Sequence, residues 1–385
     1  MITTPLNGPN RTKPTPLGHP TDAPWLSVVI PTYNEKDNIG LILNEFDRPA
    51  FEALRSQIAR IVFVDDDSPD GTAEAIRTAQ CLLPIVCIQR VGRSGLSSAV
   101  IEGMMICDTP MIAVMDSDGQ HRIEDLSAMV QRAREEHADL VVGSRFFETD
   151  RQQSHRGIRH LASQLGNALA KTLLARDVRD PLTGFFLISR PMLMSIVRDL
   201  KPIGFKILFD ILFLLRGRRF TLLEHQILFG VRQAGASKLD ASVVLEFIDQ
   251  IAHRLSRGVV PEKFLSFVAV GGSGVAVHFG VLYAMVQFEL AFLPSQTAAT
   301  SVAMLWNYAL NNEITFRRHR RSGLDWVRGL LLFVGFCSLG ALANVGIANA
   351  LFEQHYSWWL SGLAGVVVGT VFNFSLSRSY VWRRR

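Results

Sequence analysis

Met111–Ile112–Ala113–Val114–Met115 runs directly into Asp116–Ser117–Asp118–Gly119–Gln120–His121, and this junction sets the fold. An apolar run of this length reads as a buried strand of a parallel sheet. Two carboxylates at its carboxyl end lie where open α/β sheets bind their ligands. Asp116 and Asp118 are two residues apart, so on an extended backbone they share a face and can reach one divalent cation. A cation held there can carry a nucleotide diphosphate. The same residues also suit a capped turn leading into a helix that begins near Glu124.

Around this junction, up to about Arg257, apolar runs alternate with amphipathic helical stretches. Ser27–Ile30, Ile61–Val64, Pro84–Ile88, Met111–Met115, Leu140–Val142, Phe185–Ser189 and Leu222–Phe229 are the strand candidates. Polar or Gly-bearing turns and helical patterns between them predict βαβ units and a mostly parallel sheet. At 385 residues the chain is too long for one ordinary domain. Its first 24 residues are polar and Pro-rich, as expected of a flexible tail, and lack the apolar core of a signal peptide. The four cysteines (Cys81, Cys87, Cys107, Cys337) show no metal-ligand spacing and fit a reduced compartment.

After about Pro261 the composition changes. Phe264–Phe288 and Val327–Leu351 are long enough to cross a bilayer, which takes roughly 20 apolar residues. Trp358–Phe374 is near the short limit and Leu290–Leu310 is more polar. This half repeats itself at a spacing of 66 residues: Asn307, Leu310, Phe316, Arg317 and Arg318 match Asn373, Leu376, Trp382, Arg383 and Arg384. The same spacing pairs Phe267 with Phe333, Gly274 with Gly340, His278 with Asn344 and Gly280 with Gly346. Two copies of a two-helix hairpin follow, four spans in all.

The net charge of +5 matters less than its placement. Arg317, Arg318, Arg320, Arg321 and Arg383–Arg385 abut apolar runs, which argues against nucleic acid as the partner. Both copies end in basic residues, whereas Glu289–Pro294 and Glu353–Ser357 carry no Lys or Arg. The positive-inside rule then puts the basic ends, and with them the preceding soluble part, on the cytoplasmic side.

The soluble part carries further chemistry. Pro31–Thr32–Tyr33–Asn34–Glu35 ends the first strand and suits a base or ribose, or a helix cap. Asp65–Asp66–Asp67–Ser68–Pro69–Asp70–Gly71–Thr72 ends the second, and its clustered carboxylates repel one another unless donors or a cation offset them. Asp66 or Asp67 can take nucleobase N–H groups or a ribose hydroxyl, while Asp70–Thr72 suits a turn that caps the next helix. Arg90–Val91–Gly92–Arg93–Ser94–Gly95 offers backbone N–H groups and positive charge to an anion at a helix start. Arg145, Arg156, Arg159, Arg232 and Lys238 sit in or near Gly/Ser turns and suit phosphate-bearing substrates. Ile207–Leu215 reads equally as a core helix or a membrane-interface segment, and Leu239–Arg257 is amphipathic.

In this order, Val28–Glu35, Asp65–Thr72, Gly95–Ala99, Asp116–His121, Gly143–Arg145, Asp180–Phe186, Gly204–Lys206 and Arg232–Lys238 resemble the family-2 glycosyltransferases of GT-A fold, in the dolichol-phosphate mannose synthase-like branch. The repeated tail resembles the GtrA-like membrane domain. The resemblance implies a Rossmann-like α/β GT-A domain over 25–238, an amphipathic juxtamembrane segment over 239–260 and an all-α domain of four transmembrane helices over 261–385. It also implies a nucleotide-sugar donor, a polyprenyl phosphate acceptor and Mg2+ or Mn2+. By position, Asp116, Asp118 and Gln120 would surround the metal, with Asp116, Asp118 and Arg145 catalytic. Pro31, Tyr33, Glu35, Asp65, Asp67 and Arg93 would bind the nucleotide sugar, and Arg145, Arg159, Lys206, Arg232 and Lys238 the acceptor phosphate. Gly119 departs from the large apolar residue usual in this motif and loosens the expected loop.

The expected reaction is inverting transfer of a hexosyl group, foremost mannose from GDP-mannose, to dolichyl or undecaprenyl phosphate on the cytoplasmic face of a bacterial or archaeal plasma membrane. UDP-glucose or a UDP-N-acetylhexosamine is the alternative donor. A lipid-sugar translocating or scaffolding protein is the alternative of another class. A homo-oligomer formed through the transmembrane domain is compatible with all three.

Overall fold

The structure is a computed structural model that describes residues 24–92, 95–145, 174, 178–200, 207–228, 241–256 and 258–383. Among the described residues seven strands form one sheet: β1 (Leu26–Thr32), β2 (Ile58–Asp65), β3 (Ile85–Gln89), β4 (Met111–Val114), β5 (Leu140–Ser144), β6 (Phe186–Ser189) and β7 (Leu222–Gln226). Each falls on an apolar run predicted from the sequence. The order across the sheet is β3-β2-β1-β4-β6-β5-β7. Pairings are parallel except at β6, which lies antiparallel between β4 and β5.

Successive strand residues face opposite sides, so each strand feeds two cores. On β4, Ile112 and Val114 join one cluster, and Met111 and Ala113 join the other. The first cluster is covered by α4 (Leu96–Met105), α6 (Arg190–Ile196) and α7 (Ile207–Leu215); the second by α1 (Lys36–Asp47), α3 (Thr72–Thr78) and α5 (Ile123–Glu135). The short helix α2 (Glu52–Arg55) precedes β2. Burial on both faces explains why the strands read as continuous apolar runs instead of alternating ones. On α5, Ile123, Leu126, Met129, Val130 and Ala133 form the buried stripe of an amphipathic helix. Helix α7 is a core helix: Leu208, Phe209, Ile211 and Leu215 are fully buried, which decides between its two sequence readings.

The remaining helices are α8 (Ala241–Leu255), α9 (Phe264–Gln287), α10 (Phe292–Leu310), α11 (Gly323–Glu353) and α12 (Trp358–Leu376). By length and composition, α9, α11 and the Trp358–Val381 segment that contains α12 can cross a membrane. Helix α10, already the more polar run in the sequence, falls short of that apolarity, so three of the four expected spans qualify among the described residues. The 66-residue repeat is visible in the packing. α9 pairs with α10 and α11 with α12, and each pair ends in a π-helical turn, Asn311–Thr315 or Ser377–Val381. A side chain on Gly274 would collide with Asn307, and one on its counterpart Gly340 with Asn373. The aromatic contacts cross between the copies. Phe267 meets Phe374 at 5.5 Å and Phe333 meets Tyr308 at 5.7 Å, while Phe316 stacks on its own counterpart Trp382 at 4.4 Å. Equivalent residues in equivalent contacts make this a two-fold-like bundle of parallel repeats.

Candidate active site

Strands β1, β2, β3, β4 and β5 point the same way, so the turns that follow them gather at one edge of the sheet. The antiparallel strand β6 brings the segment before it, Asp180–Phe185, to that same edge. Pro31, which has no N–H to donate, lies where β1 has run past the last residue of its ladder with β4, Val29.

The turns after β1 and β2 are stitched together. Asn34 N donates to Ser68 Oγ at 2.9 Å, Glu35 N to Thr72 Oγ1 at 3.1 Å and Lys36 N to Asp70 Oδ2 at 3.3 Å. Glu35 is nearly buried and accepts from Asn38 Nδ2 at 2.6 Å. Asp65 is fully buried and accepts from Ser68 N at 3.1 Å and from the hydroxyls of Ser68 and Thr32. Asp70 accepts from Thr72 N at 3.0 Å and Thr72 Oγ1 at 2.6 Å, the turn-and-cap role read as its alternative. Burial acts to raise the Asp70 pKa, but the hydrogen bonds from Thr72 and Lys36 outweigh it and hold the carboxyl below its ordinary value.

In the Arg90–Gly95 loop the described donors serve protein carboxylates. Arg90 Nη1 meets Asp66 Oδ1 at 2.8 Å, Gly95 N donates to Asp66 Oδ2 at 2.8 Å, and Gly92 N donates to Asp67 Oδ2 at 3.2 Å. The Asp66–Arg90 pair is largely buried, and Arg90 also meets Glu102 at 3.1 Å. Repulsion in the Asp65–Asp67 cluster is thus relieved from within, and Asp66 fastens the loop. Asp67, at φ 64°, is the exposed member of the cluster, and Tyr33 is half-buried beside the stitched turns.

At the end of β4 the arrangement is more open. The Asp116 side chain keeps 38% of its surface exposed and lies 3.3 Å from Nε2 of the buried His121. His121 packs on Phe185 with ring centroids 4.6 Å apart. Asp118 Oδ1 accepts from Gln120 N at 3.1 Å, with Gly119 between them at φ 73°, a left-handed conformation that glycine adopts without strain. The departure at Gly119 therefore fits a defined turn. Gly184 lies against the Asp116 carboxylate: a Cβ there would sit 2.5 Å from Oδ2. Arg145 grips the fully buried Asp180 with Nε at 2.6 Å and Nη2 at 3.1 Å, a bidentate pair. Burial acts to lower the Arg145 pKa, but Asp180, with Asp116 adding to it, leaves it raised and the cation fixed. Two of the guanidinium nitrogens predicted to serve phosphate thus serve Asp180.

Among the described residues, no group of three or more His, Cys, Asp and Glu side chains gathers as a metal cage. Asp116 and Asp118 still fit a hard divalent cation. Mg2+-type sites use one or two carboxylates and take their other oxygens from water and substrate phosphates. Arg93, Arg159, Lys206, Arg232 and Lys238 lie outside the described residues. Asp180, Gly184 and His121 stand within motifs of the sequence whose local pattern assigns them no role. Only the antiparallel β6 reveals that Asp180 and Gly184 face Arg145 and Asp116.

Residues 27–197 match the family described as Glycosyl transferase family 2, and residues 266–382 match the GtrA/DPMS transmembrane domain. A dolichol-phosphate mannosyltransferase from Pyrococcus furiosus is 30% identical over 363 residues, covering 93% of this chain and 99% of that protein. A polyprenol monophosphomannose synthase from Mycolicibacterium smegmatis is 28% identical over 239 residues, covering 60% of this chain and 87% of that one. Among solved structures, glucosyl-3-phosphoglycerate synthase from Mycobacterium tuberculosis matches with a TM-score of 0.43 at 20% identity, covering 62% of this chain and 80% of that one. A glycosyltransferase head on a GtrA-type membrane bundle, matched along nearly its whole length, places this membrane protein among the family-2 glycosyltransferases, in the dolichol-phosphate mannosyltransferase branch.

Proposed function

We propose that this chain transfers mannose from GDP-mannose to a polyprenyl phosphate, with inversion and with help from Mg2+ or Mn2+. The observation that carries the reading is the open Asp116–Asp118 turn at the edge of the sheet, in a chain that matches a dolichol-phosphate mannosyltransferase across 99% of that protein's length. Asp116, Asp118 and Gln120 would hold the cation. When bound, it supplies Lewis-acid stabilisation to the departing nucleotide diphosphate. Tyr33, Glu35 and Asp67, on the stitched turns, would line the nucleotide, with buried Asp65 shaping that wall through Ser68 and Thr32.

An acceptor phosphate has a second pKa of about 6 and is mostly dianionic at neutral pH, so its attack needs no strong base from the protein. A phosphate oxygen forms a bond to the anomeric carbon as the carbon–oxygen bond to the diphosphate breaks, and the electron pair leaves with the nucleotide. Bringing two anions together is the harder task. Arg159, Lys206, Arg232 and Lys238 supply charge for the lipid phosphate in this reading. The Arg145–Asp180 pair fixes a cation near Asp116. The basic ends at Arg317, Arg318, Arg320, Arg321 and Arg383 support a head on the cytoplasmic side.

Purified full-length protein with polyprenyl phosphate, Mg2+ or Mn2+ and labelled GDP-mannose should form a lipid-linked mannose. Turnover with UDP-sugars alone, or donor displaced by UDP and not by GDP, would overturn the donor assignment. No product from any donor would overturn the transferase reading.

A further inference from the structure

The head and the membrane bundle are joined through α8. Near its end, Ile251 is buried in the head's core, in the cluster that includes Leu208 and Phe209 of α7. Two residues earlier, Asp249 turns to the bundle instead. Its Oδ1 accepts from Leu265 N at 2.8 Å and from Ser266 N at 3.3 Å, and its Oδ2 accepts from the Ser266 hydroxyl. Leu265 and Ser266 are the second and third residues of α9, where backbone N–H groups have no partner within the helix. Lys263, which occupies the cap position, has φ 67° and makes no side-chain capping bond. The cap of the first membrane helix is therefore provided by a different helix, across a turn closed by His253 Nδ1 with Val260 O at 2.8 Å and Val260 N with Ser256 Oγ at 2.9 Å. Asp249 is 3% exposed, so water does not compete for its oxygens.

From this geometry we infer that Asp249 is a positioning residue for transfer: by capping α9 from a helix rooted in the head, it fixes the height and tilt of the active site over the membrane. The inference rests on the polyprenyl phosphate reading above. A lipid acceptor presents its phosphate at a height set by the bilayer, whereas a soluble acceptor does not. Reaction requires the phosphate oxygen and the anomeric carbon at about 3–3.5 Å, and a misplacement of about 1 Å is enough to slow it severely. Loosening the strut must therefore penalise lipid acceptors selectively.

The experiment compares kcat/KM of the full chain, in bilayers, for a long-chain polyprenyl phosphate and for a short water-soluble prenyl phosphate. Asp249→Ala should lower the long-chain value by about tenfold or more while changing the short-chain value by less than about twofold. Asp249→Asn keeps an acceptor oxygen at the cap and should restore most of the long-chain activity. Ser266→Ala removes only the hydroxyl donor and should shift the ratio in the same direction by less. It decides the matter together with Asp249→Asn if Asp249→Ala does not fold. Equal losses on both acceptors, or no loss on either, would overturn the positioning role. A wild-type chain that glycosylates neither acceptor would overturn the functional reading instead.

Discussion

Two acidic turns flank β1, one after β2 and one after β4, and they do different work. Both follow a buried apolar strand and both end at the same edge of the sheet. After β2 two of the carboxylates turn inward: Asp65 and Asp66 are buried among donors from Ser68, Thr32, Arg90 and Gly95, and only Asp67 of the cluster stays exposed. After β4 they remain at the surface of the site, with Asp116 backed by His121 and Gly184 and facing the charge of the Arg145–Asp180 pair. A cluster of carboxylates is thus a scaffold where the protein supplies the donors; where it leaves the oxygens within reach of solvent, they can serve as the ligand site of the proposed function.

That contrast can be broken by substitution. Asp118→Asn, which removes one carboxylate of the proposed cation site, should lower transfer on the order of 10³-fold with the melting temperature unchanged. Assays with labelled donor and thermal melts on one preparation check both halves. Asp66→Asn should do the reverse. Breaking a buried ion pair costs about 3 kcal/mol of stability, while the folded fraction keeps most of its turnover. Denaturation of the full chain in detergent measures it. If Asp66→Asn instead removed activity without loss of stability, the two turns would not differ as described.

Smaller effects sharpen the comparison. Gly184→Ala should push the Asp116 carboxylate aside and lower kcat by tens of fold, about the effect of a sub-ångström to 1 Å misplacement. Its weaker cation affinity should show in Mn2+ titrations followed by electron paramagnetic resonance. Asp70, held below its ordinary pKa, contributes stability that is present above the unfolded value and lost as pH falls through the lowered folded value. Stability curves of the wild type and Asp70→Asn should therefore differ at neutral pH and converge as the pH falls through the lowered folded value. A difference that grew in acid would mean the sign is wrong.

The sequence alone determined the strand runs, the change to membrane-length helices and the 66-residue repeat. Each of these is written in periodicities between near neighbours or in direct self-similarity, and burial on both faces of a strand leaves an unmistakable apolar run. The open pair Asp116–Asp118 was legible for the same reason, since it stands at the end of such a run. Tertiary structure decided which carboxylates meet which donors. Arg145 and Asp180 are 35 residues apart, Asp66 and Arg90 24, and Asp249 and Leu265 16. Each link exists only because the chain folds back, most tellingly where β6 inserts antiparallel and carries Asp180 and Gly184 to the edge that the parallel strands had prepared. A buried charge is satisfied by whatever the fold brings within about 3 Å, and no local pattern records that partner.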